Sequence, residues 1–250
     1  MRSEPPMKKN PSIPPRIRAS LWLLSLTERW LRIALVLIGA YALLPFAAPT
    51  FMKLGWEAPA NALYALYSPM CHQFAFRSIF LFGEQPFYPR EIAGTPYMSY
   101  EAVIRGLPNV VQPSSLDDFS LPFVLSARSF VGNDQLGYKT TLCARDVAIY
   151  LALFAGGLIY AAVRRRIRPV PLWLYAVAGF MPIALDGFSQ LLSYEPFRLW
   201  AVRETAPFYR IATGAMFGLM NAWLAFPYID AAMQDTASQI RANLRQLNYR

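Results

Sequence analysis

The chain has 250 residues and a net charge of +9, with 55% hydrophobic, 15% aromatic and only 16% charged residues. That charged share lies well below the roughly one quarter usual in soluble domains, which argues against a water-soluble globule. The positive balance needs no nucleic acid to account for it, because membrane topology and anionic lipid suffice.

Residues 1–32 form a basic tail that contains Pro5, Pro6, Pro11, Pro14 and Pro15. Its start reads as flexible chain, and Leu21 to Trp30 as a short helix on the inner membrane surface. The run Ile33 to Met52 is 20 residues without a charge. That length spans a bilayer core, and in lipid the backbone must satisfy itself as helix. The run starts too late and extends too far for a cleavable signal peptide. Residues 53–146 then read as an outer segment. Within it, Trp56 to Gly83 is apolar and aromatic but broken by Pro59, Pro69, His72 and Arg77. It is expected to be a re-entrant or interfacial helix on the outer side. Glu84 to Thr141 is a long loop whose Phe87, Tyr88, Tyr97, Tyr100, Phe119, Phe123, Phe130 and Tyr138 predict packing against a surface or a partner.

Three further spans come next, at about 147–163, 170–192 and 211–229, the third of the chain's four carrying one charge, Asp186. Residues 231–250 space Ile240, Leu244 and Leu247 helically between Arg241 and Arg245, as in an amphipathic helix. Of the 24 basic residues, 14 fall in residues 1–32, in Arg164 to Arg168 and in the last 20 positions. Positive segments stay inside, and an even number of spans puts both ends on one side, so both termini are expected in the cytoplasm. The fold class is therefore an all-α integral membrane protein: four spans, residues 33–230, plus the outer helix and the long outer loop.

Two small groups hold the chain's only cysteines and its only histidine: Cys71-His72-Gln73 and Cys143-Ala144-Arg145-Asp146. Cys71, His72, Cys143 and Asp146 make a mixed four-ligand set acceptable to zinc. Cys143 and Asp146, three apart, share one face at a helix start, whereas adjacent Cys71 and His72 diverge on a helix unless a turn comes after Pro69. A disulfide, a metal site and two free thiols all remain open for the cysteines. Asp186 is the other informative residue, because an acid inside a span is costly and faces protein or water. Gln190 shares its face, and Arg210, Arg77 or Arg145 would offset the charge. The Gly214-x-x-x-Gly218 spacing allows close helix approach.

The ordered string Cys71-His72-Gln73, Arg77-Ser78, Cys143-Ala144-Arg145, Ile149-Tyr150, Pro182, Asp186-Gly187, Gln190, Arg210 and Thr213-Gly214 resembles an uncharacterised family of prokaryotic multi-pass membrane proteins, the domain of unknown function 2085. The family pattern implies a metal site of three cysteines and one histidine in a prokaryotic plasma membrane. This chain has Asp146 where the family has cysteine, and Ala148 where it has glycine; carboxylate is a harder ligand for zinc.

These features leave three functions open. The first, preferred here, is a structural or accessory subunit of a membrane complex in the lipid bilayer, with an outer zinc site. The second is a membrane enzyme or metal-handling protein, against which stand the single histidine and the lack of a nucleophile–base pair. The third is a thiol–disulfide redox protein, against which stands the absence of a C-x-x-C pair.

Overall fold

The computed structural model describes residues 14–164 and 166–247. The expected flexible start of the tail, with Pro5, Pro6 and Pro11, lies outside them. The chain divides into two compact units, one made of residues up to Ala34 and from Tyr228 onward, the other of Leu35 to Pro227.

In the first unit the helix α1 (Pro15–Leu43) opens on proline, which suits a first helical turn because its missing N–H has no partner there anyway. The expected surface helix at Leu21 to Trp30 is therefore not separate: it runs unbroken into the apolar run. The last helix, α9 (Pro207–Gln246), likewise runs through the expected junction at 230 without a stop. No glycine or proline interrupts Asp230 to Gln246 to end it. Within this unit the Trp30 indole donates to Asp230 Oδ1 at 3.0 Å, and Arg241 pairs with Glu28 at 2.6 Å. Ile17, Leu31, Ala237 and Leu244 are buried, so the amphipathic face of the C-terminal stretch packs on protein.

The second unit holds the rest of α1, a short 3-10 turn, α2 (Ala47–Lys53) and α3 (Glu57–Tyr67). Then come β1 (Ser78–Leu81), α4 (Tyr100–Ile104), α5 (Leu121–Ser129), β2 (Gly132–Asn133) and β3 (Gly137–Cys143). Two corrections arise here. The segment Trp56 to Gly83 is no single re-entrant helix, but an 11-residue helix, a turn and a strand. The fold is also not all-α: β1, β3 and β2 form a three-stranded antiparallel sheet in that order. Central β3 carries Tyr138, Thr140 and Thr141, which suit a pleated surface. It is buried on both faces, so it lacks the alternation that would mark a strand in sequence.

Residues 84–141, expected as a long loop, fold into a compact body with the segment just before them. Phe74, Phe76, Phe80, Tyr88, Tyr100, Ile104, Phe123 and Leu136 make its core. Arg90, almost fully buried, pairs with Glu101 at 2.5 Å and donates to the carbonyls of Leu116 and Asp118 at 2.9 Å. A buried ion pair with its remaining donors satisfied holds a loop firmly, because losing either partner strands the other.

After the sheet come α6 (Ala144–Val163), α7 (Leu172–Leu174), a π-helical stretch at Tyr175–Phe180, α8 (Met181–Leu191) and the start of α9. The π stretch precedes Pro182, whose ring displaces a carbonyl one turn back and whose nitrogen cannot donate. Among the described residues, three helices are long and apolar enough to cross a membrane: Pro15–Lys53, Ala144–Val163 and Leu172–Leu191. In α9 the apolar run is diluted by Asn221, Pro227 and Tyr228. Polarity along α8 is inverted relative to a soluble helix. Met181, Leu185, Phe188 and Leu191 are exposed, while Gln190 is 4% exposed and Asp186 turns inward. Such a helix is stable where the surrounding solvent is hydrocarbon.

The helices α6 and α9 approach at glycine. A Cβ on Gly218 would stand 2.2 Å from the Ile149 carbonyl oxygen, and one on Gly214 would stand 2.6 Å from that of Arg145. Gly156 meets Ala222 in the same way. The G-x-x-x-G spacing therefore marks a real helix contact.

Candidate functional site

The sheet brings the two cysteine motifs together. β1 and β3 pair so that Ser78 faces Cys143, and Cys143 is the residue from which α6 begins. On the other side, α3 ends at Tyr67 and the chain turns through Ser68 to Gln73. Gln73 sits at a positive φ of 56°. It is held there by its own buried side chain, whose amide donates to the Tyr64 carbonyl at 2.9 Å and the Thr141 carbonyl at 3.0 Å. This fixes the glutamine of the Cys-His-Gln motif as a tie between α3 and β3. The neighbouring Arg-Ser pair has structural partners as well: Ser78 donates to the Phe74 carbonyl at 2.9 Å.

The result is a cluster in which the ligand atoms of Cys71, Cys143 and Asp146 all lie within 4.8 Å of one another. Both cysteines are free thiols, and the Cys143 N–H donates to Cys71 Sγ at 3.3 Å. Hydrogen bonding to Cys143 and then burial push the Cys71 thiol up, while the bond from Cys71 lowers Cys143. Asp146 makes no ion pair among the described residues, unlike the acids below.

His72 departs from the expected ligand set. It is exposed, outside the three-residue group, with its ring 5.3 Å from that of Phe74. The reason is local: Cys71 and Gln73 on either side both point into the protein, and the residue between them is turned out.

Beside this cluster lies a polar network. Asp186 pairs with Arg145, accepts from Arg203 at 3.0 Å and accepts from the Thr205 hydroxyl at 2.8 Å. Gln190 accepts from Arg210 at 2.9 Å and from Thr205 at 3.2 Å. Arg77 and Arg210 both turn to Glu204 rather than to Asp186. Arg77 makes two 2.8 Å bonds to it, and the Tyr194 hydroxyl adds a third at 2.6 Å. Burial alone would raise the Glu204 carboxyl, but the two guanidiniums hold it well below the usual carboxylate range. Gly187 leaves room for Arg145, whose Nη1 passes 3.5 Å from where a Cβ would be.

Glu204, Arg203, Thr205 and Tyr194 escaped sequence reasoning. Their signal was present in the charged run Arg203-Glu204-Thr205, set between two apolar segments where a plain loop would need no ions.

The inverted polarity of α8, the three candidate spans and the buried charge network define a helical, multi-pass membrane protein. Residues 125–224 match the family model described as "predicted membrane protein (DUF2085)", the family that the motif string resembles. That stretch covers Cys143, Arg145, Asp186, Gln190 and Arg210, and leaves out the Cys71-His72-Gln73 motif. An uncharacterised protein of Methanocaldococcus jannaschii is 23% identical over 206 residues, covering 80% of this chain and 92% of its own. No solved structure matches.

Proposed function

We propose that the protein is a four-span plasma-membrane protein with both termini in the cytoplasm and α9 as the fourth span. It carries a zinc centre at its outer face and serves as an accessory subunit of a membrane complex. The observation that carries the metal reading is the convergence of Cys71, Cys143 and Asp146 within 4.8 Å. Two sulfurs and a carboxylate not paired to arginine, in a region otherwise rich in arginine, suit a borderline-soft divalent cation. Bound there, zinc would tie α3, through Cys71, to the start of α6. The accessory reading is supported by the folded outer lobe, which leaves Val111, Leu116, Leu121 and Leu125 exposed. Exposed apolar groups of that kind suit contact with another subunit.

Two alternatives have specific support. Three protein ligands leave a coordination position free, as in catalytic zinc sites. The two neighbouring free thiols also suit thiol–disulfide exchange.

Metal analysis of the full-length protein purified in detergent decides among them. About one equivalent of zinc is expected, with loss in Cys71→Ser and weakened retention in Asp146→Ala. Metal content unchanged in Cys71→Ser overturns the metal reading. A metal-free protein with Cys71 and Cys143 joined in a non-reducing peptide map moves the assignment to the redox reading.

A further inference from the structure

The arginine network has more cation than it needs. Four guanidiniums, those of Arg77, Arg145, Arg203 and Arg210, meet two carboxylates, Asp186 and Glu204. Both acids lie behind the guanidiniums. The front faces a cavity of about 260 Å³ lined by Arg77, Arg145, Arg210, His72, Gln190 and Tyr194 together with apolar groups, and no carboxylate lines it. Arg145, one of the residues lining this cavity, has a buried Nε without a hydrogen-bond partner, and its bond to Asp186 uses Nη2. A buried donor left unmatched beside excess positive charge is unfavourable, and an anion relieves both.

The guanidiniums are also prearranged. Arg77 is fixed by two bonds to Glu204 and lies over the rings of Phe74, Phe76 and Phe119 at 5.4 to 5.5 Å. Arg210 is fixed by Gln190, Glu204 and the Thr205 carbonyl. Arginines held by acids and lining one cavity that no carboxylate enters are suited to oxyanion recognition.

We propose that this cavity, bounded by His72, Arg77, Arg145 and Arg210, is a binding site for a phosphate group. Phosphate is favoured over carboxylate because the donors converge from three separate elements, and a tetrahedral anion offers acceptor oxygens in as many directions. The volume lies below the usual range of drug-sized ligand pockets, so the site takes a phosphate or a phosphomonoester headgroup rather than a nucleotide. The phosphate comes either from solution or from the headgroup of an anionic lipid. This inference goes beyond the zinc reading and does not depend on it.

The test uses the full-length protein in two arms. In detergent, inorganic phosphate is titrated against the melting temperature at constant ionic strength, with chloride as the balancing salt. In nanodiscs, phosphatidic acid is compared with phosphatidylcholine. A saturable upward shift is expected in the first arm for a soluble source, or in the second arm alone for a lipid source. His72→Ala removes an exposed ring that holds up no part of the fold. Arg145→Lys keeps the charge beside Asp186 but removes the fork and Nε. Each is expected to raise the apparent dissociation constant roughly tenfold, the scale of one charge-assisted hydrogen bond. No shift in either arm overturns the proposal, as does a shift of equal midpoint in the wild type and in His72→Ala. Should Arg145→Lys not fold, the His72→Ala comparison decides alone.

Discussion

Lys139 illustrates how a single residue can be set by its burial. It lies on central β3 with no exposed surface, and its ammonium donates to the carbonyls of Gln73 at 2.7 Å and Arg128 at 2.5 Å. Burial brings its pKa down from 10.5 to about 7. The folded protein therefore releases this proton near neutrality, whereas the unfolded chain holds it to about 10.5. Between those values the unfolded state binds more protons, so stability rises with pH across that window and levels above it. Thermal unfolding in detergent between pH 6.5 and 10 should show this rise, on the order of a few kcal/mol. In Lys139→Met the rise attributable to this group should vanish, although the variant is less stable overall because two buried carbonyls lose their donor. A difference curve between the two proteins that stays flat with pH would refute this account. Glu204 shows the opposite case, an acid kept ionised by Arg77 and Arg210 despite burial.

Helix pairing sets the next scale. Gly218 stands where any side chain would press on the Ile149 carbonyl of α6 at 2.2 Å, whereas a Cβ on Gly187 of α8 would meet only Arg145 Nη1 at 3.5 Å. Gly218→Ala should force α6 and α9 apart and destabilise the protein by about 1–3 kcal/mol. Gly187→Ala should be close to neutral or slightly stabilising, because alanine favours helix over glycine. Melting temperatures of the two variants in one detergent test this contrast, and equal effects would mean that α6 and α9 do not rely on close contact. The same contact carries functional weight, since Gly214 packs on the Arg145 carbonyl and so helps to set where the Arg145 side chain begins.

For the whole molecule, the segment between α1 and α6 decides the count of crossings. α3 has 11 residues, about 16 Å of helix, well short of a bilayer core. Beyond α3 the chain turns and enters β1, whose partner is β3. A segment that pairs in a sheet does not cross lipid by itself. Tags on both termini should therefore be reached only from the cytoplasm, and a protease site placed near Asp117 only from outside. Cleavage near Asp117 from the cytoplasmic side would show that Trp56 to Gly83 crosses, and the four-span arrangement would fall.

Much of this protein was legible in its residues alone. Long uncharged runs show membrane helices because length and hydropathy are properties of contiguous sequence, and Asp186 stood out because an acid in such a run is expensive wherever it points. The motif string likewise led to the family whose model matches residues 125–224. Tertiary structure decided what depends on residues far apart in the chain. β3 escaped notice because burial on both faces erases the two-residue alternation of a strand. Glu204 escaped because the run Arg203-Glu204-Thr205 does not name the partner, Arg77, that lies 127 positions away. His72 could not be excluded from the cysteine cluster by spacing, since only the turn at Gln73 and the buried residues on either side send its ring to another cavity. Helix formation is local and so can be read along the chain, whereas a site is a meeting of distant side chains and exists only once the chain has packed.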